Sequence, residues 1–133
     1  MTTEELVAYW IAESDADYDS MMEIYNNSKQ YHWVLFVGHL CIEKLIKAIF
    51  VKNNTQNVPP KSHDLTALAR KANISLDDAK EDMLDIVTTF NIETRYRDYQ
   101  NNFYKLCTKQ FTDDNLKIIK ELRTWLKKIL VTK

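Results

Sequence analysis

Residues 31–52 read YHWVLFVGHLCIEKLIKAIFVK, and this stretch decides the fold. Val34, Val37, Cys41, Leu45 and Ala48 recur at three-and-four spacing, while Leu35, Ile42, Ile46 and Ile49 form a second apolar stripe beside them. Two adjoining stripes predict a helix buried on most sides, the spine of an all-helical protein. One narrow strip of that helix is polar. His39, Glu43 and Lys47 follow one another at i,i+4, the spacing that stacks side chains one turn apart, with Phe36 and Phe50 near the ends of the row. The strip reads either as a self-paired ion stripe or as one wall of a binding cleft.

Composition supports helices and removes several function classes. The 133 residues are 45% apolar and 28% charged, ordinary proportions for a chain that folds as one domain over 1–133. A single glycine, Gly38, and the adjacent pair Pro59 and Pro60 are too few breakers for a sandwich or barrel, which needs turn residues about every 8–12 positions. One glycine also excludes the dinucleotide fingerprint and the P-loop. A formal net charge of −1 gives no whole-molecule field for nucleic acid, so any such binding must come from a local patch. Cys41 and Cys107 form no CxxC pair, and His32, His39 and His63 supply no HxxxH or HExxH, so no metal and no cofactor is expected. The acidic N-terminus MTTEELVAYWIAESDAD is unlike a signal peptide, and no apolar run approaches the roughly 18 residues of a membrane span. A cytoplasmic protein is expected.

Outward from the spine, the remaining segments read as four further helices. Thr2 and Glu5 have capping-box spacing, and Val7, Ile11, Ser14, Tyr18, Met21 and Tyr25 carry a helix to Asn26-Asn27-Ser28. So short a connection makes it the antiparallel neighbour of the spine. After the loop that ends at Pro59-Pro60, Asp64 caps a short helix with Leu65, Leu68, Ala69 and Ala72 on one side, and His63 fastens the loop through a hydrogen bond. Ser75 with Asp78 predicts a cap for a helix whose apolar side is Leu76, Ala79, Met83, Ile86, Val87 and Phe90. Residues 91–102, dense in arginine, tyrosine and amides, read as the loop most suited to a site. Thr112 opens the last helix, with Leu116, Ile119, Leu122, Leu126 and Ile129 buried and Lys127, Lys128 and Lys133 facing the negative end of its dipole.

Four groups in this order resemble the HEPN family: Trp10 with Asp17, Phe36 through Glu43-Lys44 to Lys47-Ala48, Ser62-His63-Asp64-Leu65, and Thr94-Arg95-Tyr96-Arg97-Asp98. The resemblance spans about residues 6–130. It implies an up-and-down bundle of about five helices, a homodimer with a cleft near the protomer contact, and a possible nucleotidyltransferase partner in a toxin–antitoxin or related two-protein system. Active relatives are metal-independent ribonucleases in which an arginine is followed four to six residues later by a histidine. Here all four arginines, Arg70, Arg95, Arg97 and Arg123, lie after the last histidine, so the motif cannot occur. Arg97 also stands where the family has proline. The resemblance, with this departure from it, implies a non-catalytic nucleotide- or RNA-binding module, with Arg95 and Arg97 on phosphate, Tyr96 able to stack a base, and His39, Glu43 and Lys47 facing the same cleft. The alternatives are a structural dimerising adaptor, in which Arg95 pairs with Glu43 or Asp17, and a ribonuclease that uses His39 as an unconventional acid or base.

Overall fold

Capping chemistry and apolar periodicity set six helices in the computed structural model, which describes the backbone of residues 1–54, 58–95 and 97–132 and their side chains apart from those of 92–100. They are α1 (Thr3–Asn27), α2 (Tyr31–Asn53), α3 (Leu65–Lys71), α4 (Asp78–Arg95), α5 (Arg97–Leu106) and α6 (Lys109–Val131), with no strand among the described residues. The capping box forms as expected: Glu5 N–H donates to the Thr2 hydroxyl at 3.1 Å and Thr2 N–H to the Glu5 carboxylate at 3.1 Å. Asp64 caps α3 by accepting from Ala67 N–H at 3.1 Å. The same short helix ends at Lys71 with Ala72 as its C-cap, and the next residue, Asn73, has a φ of 62° in the left-handed region that asparagine tolerates.

Two caps fall elsewhere than expected. Lys80 N–H donates to the Asp77 carboxylate at 2.7 Å, so Asp77, not Ser75, starts α4. At α6 the Thr108 hydroxyl accepts from Phe111 N–H, and Thr112, fully buried, sits one turn inside the helix. A further difference concerns residues 91–102, which are helical on both sides of position 96 instead of a loop. Nothing in that stretch breaks a helix, and Phe90, Asn91 and Phe103 give it a buried side. Arg97 is the first residue of α5, the helical position where proline is best tolerated.

The core gathers around α2, in which Val34, Leu35, Cys41, Ile42, Leu45, Ile46, Ala48, Ile49 and Val51 are all fully buried. Helix α1 runs antiparallel to α2, shown by the pairs Ser14 with Cys41, Trp10 with Lys47 and Tyr25 with Tyr31. Helix α6 runs parallel to α2, because Gly38 meets Ile119 near one end and Lys52 meets Leu130 near the other. Gly38 is what allows this approach. A Cβ built there would stand 2.5 Å from the Ile119 Cδ1 and 3.1 Å from the Met21 Sδ. Cys41 is a core residue, and burial pushes its thiol pKa up. On α4 the buried side is set by Leu84, Val87 and Phe90, whereas Ala79 and Ile86, expected inside, are exposed. The C-terminal carbonyls of α6 are met from across the bundle: Lys52 Nζ donates to Leu130 O at 2.6 Å and to Thr132 O at 3.2 Å. Lys127 turns aside to Asp15, at 2.7 Å.

Candidate functional site

The polar strip of α2 is buried, not solvated. His39 is fully buried and Glu43 only 4% exposed, so each must find partners inside the protein. Glu43 finds two. Its Oε1 lies 2.8 Å from His63 Nδ1 and its Oε2 accepts from Lys47 Nζ at 3.1 Å. His63 arrives from the segment before α3, and its backbone carbonyl lies 3.0 Å from His39 Nε2. The two imidazoles sit with ring centroids 6.2 Å apart. Thus His63 does fasten the loop, as its place beside the α3 cap suggested, and it does so by docking on two residues of the strip.

The strip extends onto α1. Lys47 Nζ lies 5.3 Å from the centre of the Trp10 ring, a cation–π contact, and Lys44 pairs with Asp17 at 2.7 Å. Trp10, Asp17, Glu43, Lys44, Lys47 and His63 are therefore drawn into one neighbourhood by α1, α2 and the segment entering α3. They are residues from three of the four sequence groups that carried the family resemblance. The fourth group, Arg95, Tyr96 and Arg97, lies outside the described side chains, with Tyr96 outside the described residues altogether. Helix α4, which leads to it, packs on both α2 and α3, and Leu65 N–H donates to the Thr88 hydroxyl at 3.0 Å. Among the described side chains the partners of Glu43 are His63 and Lys47 and that of Asp17 is Lys44, and the Arg95 side chain, considered from sequence as a partner of either carboxylate, lies outside them.

Chemically, the arrangement is a carboxylate held between a cation and an imidazole. The buried His39 has Nε2 directed at the His63 carbonyl, a contact that ties the His63 segment to α2. His63 is the more exposed imidazole, its side chain 47% accessible. Sequence reasoning gave His63 a fastening role only; the i,i+4 strip points along α2 and contains no sign of which loop residue will meet it. No group of three or more His, Cys, Asp or Glu side chains suited to a metal ion occurs among the described residues.

A helical bundle with a buried, cross-linked polar strip on its central helix defines the class, and the sequence places it further. The chain matches the HEPN domain over residues 7–129, and so belongs to the HEPN domain family. Comparison with curated proteins and with solved structures gives no significant match.

Proposed function

We propose that this protein is a non-catalytic nucleotide- or RNA-binding HEPN module that acts as a homodimer, with a nucleotidyltransferase as its candidate partner in a toxin–antitoxin type of system. One observation carries the proposal: a buried carboxylate, Glu43, cross-links α2 to the His63 segment and to Lys47, and so builds a rigid polar wall on the central helix. Arg95 and Arg97 are the phosphate ligands and Tyr96 the stacking group; the wall of His39, Glu43 and Lys47 orients them. Turnover is not part of the proposal, because no histidine follows any arginine in the chain. Trp33 at 38% and Tyr104 at 50% exposure, both in ring contact with His32, support a protomer contact. Titration calorimetry with mono-, di- and triphosphate nucleotides tests ligand binding. Heat is expected with at least one of them and its loss in Arg95→Ala at unchanged circular dichroism, and silence with all of them overturns the binding function.

A second function, a structural adaptor without a ligand, is favoured by one detail. Both Glu43 oxygens already have partners within the protein, as a strip whose whole task is to hold the bundle would require. In that case Arg95→Ala alters stability and leaves no binding signal to lose.

A further inference from the structure

The cations of helix α6 differ in what holds them. On the face toward α1, Arg123 and Lys127 both reach Asp15, at 3.1 and 2.7 Å, and Arg123 also lies over the Tyr18 ring at 3.9 Å. In the first turn Lys109 is held by Asp113 at 2.8 Å. Lys117, Lys120 and Lys128 are different: all three are exposed, and none forms an ion pair among the described residues. Their spacing of three and then eight residues places them along one side of the helix, spanning about 16 Å of its axis. Three adjoining hollows line this side. The first, of about 380 Å³, includes Lys117 and Lys120; the second, of about 490 Å³, shares Lys120 and adds Lys80 and Trp125; the third, of about 410 Å³, shares Trp125 and Lys128 and adds Lys52. Half-buried Trp125 thus forms the common wall of two hollows, with Lys80 Nζ 5.5 Å from its ring centre.

A row of unpaired cations along a furrow with an indole at its middle matches the two requirements of single-strand binding, a charged track for the backbone and a flat surface for a base. We propose that this side of α6 is a second nucleic-acid surface, which takes the sugar-phosphate backbone of a single strand on Lys117, Lys120 and Lys128 and stacks one base on Trp125 in place of the Lys80 ammonium that lies over the ring. It does not depend on the Arg95 site. An acidic protein segment would use the lysines but gain little from the indole; of the carboxylates that line the hollows, Asp113 is held by Lys109 at 2.8 Å and Glu121 lies 3.9 Å from Lys80.

The test is fluorescence anisotropy of a labelled 12-nucleotide oligouridylate against the full-length protein over a range of KCl. Three neutralised phosphates give a slope of log K against log[KCl] near −2, on the basis of about 0.7 ion per single-strand contact. Lys120→Glu/Lys128→Glu is expected to weaken binding at least tenfold and flatten the slope, with an unchanged urea midpoint. Trp125→Leu is expected to weaken it about tenfold at unchanged slope, and Trp125→Phe to restore most of the loss. In an Arg95→Ala background, Lys120→Glu/Lys128→Glu is still expected to weaken binding at least tenfold, which separates this surface from the first. The proposal is overturned if wild type shows no salt-dependent binding, if the double charge variant binds as wild type, if Trp125→Leu has no effect, or if polyglutamate of equal length competes as well as the oligonucleotide.

Discussion

Glu43 shows how much one residue can hold. Its carboxylate is nearly dry and satisfied on both oxygens, so removing it strands the part-buried Lys47 ammonium and frees the His63 segment from α2. Breaking a buried pair from one side costs more than the pair contributes, because the remaining charge stays desolvated. Glu43→Ala is expected to lower unfolding stability by about 2–4 kcal/mol, read by urea denaturation, and Glu43→Met with Lys47→Met to recover much of it. Asp15 provides the contrast. Burial raises its carboxyl pKa, but the hydrogen bonds and charges of Lys127 and Arg123 outweigh that and hold it below the usual range. Its side chain is 43% exposed, so solvent screens both pairs, and Asp15→Ala should cost no more than about 1 kcal/mol in the same assay. His32 adds a pH dependence. Burial lowers its pKa from the ordinary 6.5, so below that pH the unfolded chain binds the proton more readily than the folded one. Stability is then fully present above about pH 6.5 and falls as the pH drops toward the lower folded value. Urea midpoints at pH 7.5 and 5.5 should show this loss in wild type and a smaller one in His32→Phe.

At the scale of the element, the close approach of α2 to α6 depends on Gly38. Alanine there gains about 1 kcal/mol of helix propensity, which offsets the displacement of the Ile119 terminal methyl, so Gly38→Ala should be near neutral. Valine adds branched bulk that Met21 and Ile119 cannot both clear, and Gly38→Val should cost about 1–3 kcal/mol by urea denaturation. Helix positions were largely legible in the sequence, because the breakers are few and the periods long. The buried faces of α2, α3 and α6 were legible as well: Leu116, Ile119, Leu122 and Leu126 on α6 are all inside. Helix α5 was not, since its amides, tyrosines and charges mask a buried side that Phe103 supplies by stacking on Phe90 at 5.8 Å. The starts of α4 and α6 were misplaced for a related reason. Several Ser, Thr and Asp residues near each start can cap, and packing selects which one does.

For the whole molecule, apolar residues on the α4, α5 and α6 side stay open to solvent, with Ile86 at 41% and Leu106 at 55% lining a hollow of about 500 Å³ with Phe90 and Phe103. For the homodimer proposed above, with Trp33 and Tyr104 at its contact, light scattering should give twice the chain mass of 15.7 kDa, and Trp33→Lys should reduce it to the single-chain value without change in circular dichroism. No helix is long and apolar enough to cross a membrane among the described residues. By itself the sequence determined the all-helical class, the central position of residues 31–52 and the family, because local hydrophobic period, caps and motif order are written along the chain. Only the tertiary structure decided that His39, Glu43 and Lys47 face inward, that His63 is the partner of Glu43, and which lysines of α6 are left without carboxylates. Each of those outcomes depends on what two distant segments bring to the same place, and pairwise distances of that kind have no local signature in a sequence.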